Sequence, residues 1–406
     1  MVNILGINLS EFSHKEVLQK ILAFLDDGKQ HYIVTPNPEI ILEAGNDEEF
    51  FYVLNKADLA LADGIGLKIA AWFFGNNLPR VTGADITVEL LKISAEKKIK
   101  VMILNWENGL SKIEDINSAL KNKFPGLIFS VININRDKNL SSEKIDEINK
   151  FSPDLLFNTL GFPYQEKLMY HNLNLLPSVK VALGIGGSFD FITEKIKRAP
   201  ILFRSLGLEW FWRLLNAFNY ADSQRRLKRI YQATFVFLRK VILIRFVNPW
   251  IYRKNVACFL FKKEDGKIKV LILERQDDTN HWQLPQGGTD GEDIETAGKR
   301  ELFEETGLNN LKTIAIYKNI YRYSFPQLNK DESFRGSRRY RYDYKGQKQS
   351  LYIAELTDQA QAVQVCFWDH IAYKWVEINE LLQNLHPYRQ SGAKIFIGKF
   401  KSLKIN

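Results

Sequence analysis

Three carboxylates, Glu301, Glu304 and Glu305, stand three and four residues apart, a spacing that puts all three on one face of a helix. Clustered like charges repel unless a cation sits among them. Hard oxygen donors with an incomplete shell suit Mg²⁺ or Mn²⁺, and such an ion brings phosphate oxygens with it. It also activates water and offsets charge building on a departing phosphate. Upstream, Gly287 and Gly288 let backbone amides approach phosphate, and Gly307 is placed to end the helix. The bland alternative is a solvated acidic face in which Arg300 pairs with Glu304 at i+4. The Gly-Gly loop ahead and the Glu-Glu-x-Gly run behind favour the metal.

A second set of polar residues lies in the first two hundred positions, where short apolar runs end. Thr35 and Asn37 follow one run, Asp63 and Gly64 another, Gln165 a third, and Gly186-Gly187 a fourth. Any one of these is an ordinary turn, since Pro, Asn, Asp and Gly are turn residues for steric reasons. Four on one sheet edge point to a shared site.

The elements that must position both sets follow from periodicity. Apolar runs at 32–35, 57–63, 100–105, 128–133, 154–160 and 180–187 alternate with helical stretches such as 84–98 and 141–151. The alternation predicts an α/β domain, a Rossmann-like, mostly parallel sheet with helices on both faces. Ligands of such sheets bind beyond the carboxyl ends of the strands. From Val256 the texture changes to two strands joined by a turn at Asp265-Gly266, then a helix from near Glu292 to Thr306.

The segments TPNPEIILEA, ADLALADGIGL, the R-x-x-G-x-D of Arg80 to Asp85, LGFPYQE, GIGGSFDF, KRAP and GLEWFWRLL occur in that order. Together they resemble the WecG/TagA/CpsF glycosyltransferases over roughly residues 1 to 230. The resemblance implies inverting transfer of an acetamido sugar from a nucleotide-sugar to a polyprenyl-diphosphate-linked sugar. Such a reaction needs a base for the acceptor hydroxyl, and Asp63 is the candidate. Thr35 and Asn37 would orient the base or the acceptor, and Arg80 would counter the departing diphosphate. Gln165 and the Gly186-Gly187 turn would hold the nucleotide. With no DxD motif, metal-independent transfer is expected in this half. One departure stands out: Glu194 occupies a place where the family has glycine, which puts donor choice in question.

Arg300 to Leu308 fits R-E-U-x-E-E-x-G-U, with U a bulky apolar residue, and resembles the Nudix box. That resemblance implies an α/β/α sandwich cleaving a nucleoside-diphosphate-linked substrate. The loop from Gly287 to Glu292 is one residue shorter than the family's, so the helix register should survive better than the loop geometry. WQLPQGG and GQKQSLYIAEL resemble the branch of dinucleoside polyphosphate hydrolases and RNA pyrophosphohydrolases. Lys348 and the run Arg335, Arg338, Arg339 and Arg341 are candidate polyphosphate or RNA contacts. The domain's near-neutral charge argues against RNA.

A length of 406 residues implies two or three domains, and 45% hydrophobic with 25% charged residues is globular composition. Two distant cysteines without a CxxC exclude a disulfide framework and fit a cytoplasmic compartment. The first residues lack a signal-peptide pattern. Residues 204–254 carry 11 Lys and Arg against 2 acids, the whole of the chain's net charge of +9. Arg239, Lys240 and Arg245 interrupt the apolar run 233–250. Each would cost roughly 2.5–3.5 kcal/mol in mid-bilayer, so an interfacial helix is expected. The predicted organisation is a glycosyltransferase domain at 1–203, a membrane-docking appendage and connector at 204–254, and a Nudix domain at 255–406. Arg213, Arg225 and Arg226 would meet the prenyl diphosphate or anionic headgroups at the inner face of the membrane. A homo-oligomer is compatible with the sequence. The rival readings are a Nudix module that binds a nucleotide without cutting it, and a first half that serves as a non-catalytic membrane adaptor.

Overall fold

The computed structural model describes residues 1–200, 203, 212, 228, 231–325, 344–358 and 360–403. Arg213, Arg225 and Arg226 lie outside these residues, as do Arg229, Arg335, Arg338, Arg339 and Arg341. The chain divides into two compact units between Arg245 and Phe246.

The first unit opens with a hairpin, β1 (Val2–Ile4) and β2 (Ile7–Leu9), then α1 (His14–Asp26), β3 (His31–Val34), α2 (Pro38–Ala44), α3 (Glu48–Lys56) and β4 (Leu59–Ala60). It continues through α4 (Ile65–Phe73), α5 (Gly83–Lys97), β5 (Lys100–Trp106), α6 (Ile113–Lys123), β6 (Ile128–Ile134) and α7 (Ser142–Phe151). Next come β7 (Leu155–Asn158), α8 (Tyr164–Asn172), β8 (Val181–Gly184), α9 (Ser188–Ile192) and α10 (Phe237–Ile242). Six strands form one sheet in the order β4-β3-β8-β7-β5-β6, and every pairing is parallel. Alternate strand residues feed two cores. Val34, Met102, Leu104, Leu156 and Ala182 face one layer, and Ile33, Val101, Ile103, Phe157 and Leu183 face the other. Burial on both faces is why these runs are continuously apolar. The expected strand at 57–63 keeps only two ladder residues, Leu59 and Ala60. Beyond them Leu61 N donates to Val34 O and Asp63 N to Pro36 O, so the chain follows the β3 exit as a loop.

α10 lies between two wide π-type turns, Gln232–Val236 and Leu243–Val247. Phe237, Val241 and Ile244, at helical spacing, are buried in the first unit's core. Tyr231, Phe235, Leu238 and Ile242 are exposed, as are Ile69 and Trp72 on α4. Among the described residues no helix is long and apolar enough to cross a membrane.

The second unit contains β9 (Tyr252–Glu264), β10 (Lys267–Arg275), β11 (Trp282–Gln283), β12 (Gln286–Gly288) and α11 (Ile294–Thr306). It ends with β13 (Leu311–Ser324), β14 (Gly346–Leu356), β15 (His370–Glu377), α12 (Leu381–Asn384) and α13 (Pro387–Ser402). Tyr252, Arg253 and Lys254, assigned above to the connector, instead open β9, because they pair in register with Gly346, Gln347 and Lys348 of β14. β9 and β14 run parallel and the other pairings are antiparallel. Val256, Cys258 and Leu260 face α11, while Ala257, Phe259 and Phe261 face α13. This alternation makes the α/β/α sandwich.

Candidate active sites

In the first unit four strand exits deliver polar groups to the carboxyl edge of the sheet. The chain leaves β3 toward one end of the sheet and β5 toward the other, and at such a reversal α/β sheets take ligands. Thr35 is buried and donates its hydroxyl to Gly184 O at 3.0 Å, tying the β3 and β8 exits together. Asp63 is half-buried, and its Oδ2 accepts from Gly83 N at 3.3 Å. A Cβ on Gly83 would fall 3.0 Å from the Thr35 methyl, so the glycine of R-x-x-G-x-D allows α5 to start against both residues. Val81 N donates to Ala62 O at 3.1 Å, which carries Arg80 alongside the Asp63 segment. In the first turn of α5, Asp85 N donates to the N-cap Thr82, and the Asp85 carboxylate pairs with Arg198 of KRAP at 2.7 Å. Two of the quoted motifs are thereby joined.

Asn37 is the N-cap of α2, accepting from Ile40 N at 3.0 Å. Gln165 is only 2% exposed, and its amide is turned inward. The side-chain carbonyl accepts from Gly186 N at 2.9 Å and the amide donates to Glu166 at 2.7 Å. Gln165 therefore clamps the Gly184–Gly187 turn. Gly187 lies against Asp190, whose carboxylate accepts from Ser111 at 2.7 Å. Thr35, Asp63, Gln165 and Gly186 are brought together through Gly83 and Gly184. Glu194 has φ +62°, in the left-handed region where a side chain costs roughly 1–2 kcal/mol, and it pairs with Lys123. The backbone there keeps the conformation a glycine would take.

Spacing does not single out Glu166, although it stands inside LGFPYQE. It is fully buried on α8, and burial pushes its carboxyl up to about 7, against a smaller lowering by the bond from Gln165. Between the ordinary carboxylate range and pH 7 the folded state thus holds a proton that the unfolded state has lost. Stability should fall as pH rises through this window, by on the order of 3 kcal/mol. Glu166→Gln, which keeps an acceptor for Gln165, should flatten that fall in paired urea titrations at pH 5 and pH 8. An equally steep fall in the variant would assign the effect to other groups.

In the second unit the loop from Gly288 to Gly291 closes through left-handed Asp290 and Gly291, with Glu292 N donating to Thr289 O at 2.7 Å. The helix starts two residues later than expected because Asp293 caps it, accepting from Glu295 N and Thr296 N. Gly307, at φ +70°, ends it. Arg300 gathers the acidic groups. Nε donates to Glu292 (2.9 Å), Nη1 to Glu301 (2.9 Å) and Glu304 (3.0 Å), and Nη2 to Gly288 O (2.8 Å). Burial opposes its charge, but the bond to Glu292 and the charges of Glu301 and Glu304 outweigh it and hold the guanidinium above its ordinary range. Glu301 is buried, and a Cβ on Gly287 would fall 1.8 Å from its carboxylate. Only glycine lets that carboxylate reach the strand. Glu304 remains exposed, while Glu305 is buried and accepts from Gln286 N at 3.1 Å.

Sequence reasoning missed Asp369 and His370, whose ligand atoms lie with one from Glu305 within 4.8 Å of one another. They sit in an apolar stretch, CFWDHIAYKWV, that gave no spacing signal. Clustered carboxylates facing glycine-cleared backbone fit a divalent cation and its phosphate ligands. Lys348 is exposed on β14, directly between Lys254 of β9 and Arg322 of β13. Like charges in neighbouring register repel, and an anion across the row would relieve them.

Residues 2–249 match the profile of the glycosyl transferase WecG/TagA/CpsF family, and residues 251–397 match that of the NUDIX domain. An N-acetylglucosaminyldiphosphoundecaprenol N-acetyl-beta-D-mannosaminyltransferase of Bacillus subtilis is 32% identical over 210 residues, covering 49% of this chain and 80% of the relative. The protein of the same name from Bacillus spizizenii is 36% identical over 206 residues, covering 50% and 78%. A solved Ap4A hydrolase of C. elegans, in a binary complex, aligns over 37% of this chain and 98% of its own at 21% identity, with a TM-score of 0.28.

Proposed function

The chain belongs to the WecG/TagA/CpsF glycosyltransferase family and carries a C-terminal NUDIX domain, and we propose that it is a bifunctional enzyme. The first unit moves an N-acetylmannosaminyl-type sugar from a nucleotide donor to N-acetylglucosamine on a prenyl diphosphate, the reaction that names its relatives. The convergence of Thr35, Asp63 and the Gln165-clamped turn at one sheet edge carries this reading. Asp63 takes the proton of the acceptor hydroxyl as its oxygen bonds the anomeric carbon, and the nucleoside diphosphate leaves from the opposite face. Arg80, with five fixed donors, meets the negative charge of that leaving group. The decisive experiment is a donor screen with a prenyl-diphosphate-linked N-acetylglucosamine acceptor, read as labelled lipid product. Transfer from no donor at all would sink the assignment.

The second unit hydrolyses a nucleoside-diphosphate-linked substrate. Glu301, Glu304 and Glu305 would hold Mg²⁺ or Mn²⁺, which when bound supplies an activated water and charge neutralisation. Arg300 pairs with Glu301 and Glu304 and aims them, Gly287 admits Glu301, and Lys348 draws in the polyphosphate.

The first unit works as a peripheral protein on the cytoplasmic face of the membrane. Supporting this are the basic stretch from 204 and the exposed Phe235, Leu238, Ile242 and Trp72. Reversal of Arg225, Arg226 and Arg229 to Glu should release the protein from anionic vesicles in a flotation assay. Unchanged binding would make the stretch a solvated connector.

A further inference from the structure

Among the described residues Glu166 is the one carboxyl with 0% exposure, and the transfer reaction as drawn above gives it no task. Its Oε1 accepts from Gln165 Nε2 at 2.7 Å, and its Oε2 has no hydrogen-bond partner. Gln165 spends the other end of the same amide on the neighbouring turn, accepting from Gly186 N at 2.9 Å. The amide is tightly enclosed, since a Cβ on Gly184 would fall 2.8 Å from Gln165 Nε2. Asn158 pins the backbone on both sides: its Nδ2 donates to Gln165 O at 3.3 Å, and its O accepts from Ile185 N at 3.0 Å. Gly186 by contrast is open, at φ +49° with nothing within 4 Å of where a Cβ would stand.

A carboxamide has a donor end and an acceptor end of nearly the same shape, so packing alone does not decide which way round it sits. A carboxylate decides it, because it only accepts. Gln165 must then give Glu166 an N–H and turn its oxygen to Gly186. A neutral carboxyl both donates and accepts, so it lets the amide turn over. That would set two donors, the Gln165 amide and Gly186 N–H, against each other and displace the turn. We infer that Glu166 is a positioning residue for sugar transfer: its charge fixes the polarity of the Gln165 amide, and through it the Gly184–Gly187 turn that meets the donor diphosphate. The inference rests on the transferase reading and adds to it the group that sets the turn.

Burial holds the Glu166 carboxyl near neutrality, at about 7, against smaller lowering by the bonds from Gln165 and its own backbone. Both forms are therefore populated at working pH. The charged groups on α8 and the elements packed against it have other partners. Lys167 and His171 of α8 pair with Glu49 of α3 at 2.9 and 2.7 Å, Lys167 also pairs with Asp47 at 2.7 Å, and Lys138 reaches Glu49 at 3.8 Å. Tyr170 of α8 meets Tyr52 of α3 edge to face. On β3, His31 pairs with Asp27 and Asp58, and Tyr32 donates to Val53 O. β8 carries no titratable side chain.

The test follows donor KM against pH in the full chain. N-acetylmannosamine on uridine diphosphate is the donor, with saturating prenyl-diphosphate-linked N-acetylglucosamine as acceptor. That donor's diphosphate is esterified at both ends and has no group that titrates near neutrality. Between about pH 6 and about pH 8 Glu166 passes from roughly one-tenth to roughly nine-tenths ionised, so wild-type KM should fall several-fold, about ninefold at most. Glu166→Gln, whose side chain also donates and accepts, should hold the high KM at every pH. The difference should lie in KM, with parallel kcat profiles for the two proteins. A flat wild-type KM across this range overturns the inference even if the variant fails to fold. So does a variant that keeps the wild-type slope, which would pass the effect to a group such as His171. If the wild-type chain transfers from no donor at any pH, the transferase reading falls and this inference with it.

Discussion

Glu305→Gln is expected to abolish nucleotide release from diadenosine polyphosphates by the second unit at saturating Mg²⁺ or Mn²⁺. The substitution is nearly isosteric at a site with 1% exposure, and a glutamine carbonyl can still accept from Gln286 N, so the helix end should stay in place. What it loses is the negative charge beside Asp369 and His370. Outer partners of metal ligands commonly matter by 10–100-fold, so a direct ligand should cost about 100-fold or more in kcat. Lys299→Gln, which removes only an exposed i+4 pair with Glu295, serves as the control and should stay close to wild type. Equal thermal midpoints for both variants would separate chemistry from folding. A wild-type chain that binds nucleotide and never cuts it would favour the sensor reading, and a Glu305→Gln variant as active as wild type would remove Glu305 from the chemistry. The short loop alone does not force that reading, because Asp290 and Gly291 close it in left-handed conformations while Arg300 still reaches Gly288.

What the sequence disclosed and what it hid have physical causes. Strands buried on both faces write themselves as apolar runs, which is why β3, β5, β7 and β8 are visible without coordinates. β4 is overestimated because Leu61 and Asp63 bond the β3 exit as an extended loop outside the ladder. On α11 the carboxylate spacing gives the acidic face, yet not its division into buried Glu301 and Glu305 and exposed Glu304. That division depends on Gly287 and Gln286 of a strand the helix packs against. Glu166 and the Asp369–His370 pair stay hidden for a related reason. A buried polar group is defined by its neighbours across the fold, and local periodicity carries no trace of them. Gln165 shows the converse. Its place in the motif marks it as important, but only the packing reveals that its amide is spent on Gly186 and Glu166.

Asp63→Asn should eliminate sugar transfer while leaving donor binding in place. The asparagine amide can still accept from Gly83 N through its oxygen, and the backbone bond from residue 63 to Pro36 O is untouched. The loop should therefore keep its path beside Thr35, and the loss would lie in proton transfer alone. General-base catalysis contributes about 10²–10⁴-fold, so kcat should drop by that amount with donor KM changed little. Thr35→Val is the instructive partner. It removes the hydroxyl bond to Gly184 and should weaken the β3–β8 edge, raising KM as well as lowering kcat. If Asp63→Asn instead raised donor KM and spared kcat, the carboxylate would be a binding group and the base would have to be sought elsewhere on the same edge. Transfer retained in full by Asp63→Asn would leave the convergence of Thr35, Gly83 and Asp63 as packing. In that case the first unit's chemistry would have to be rebuilt from Arg80 and the Gly184–Gly187 turn.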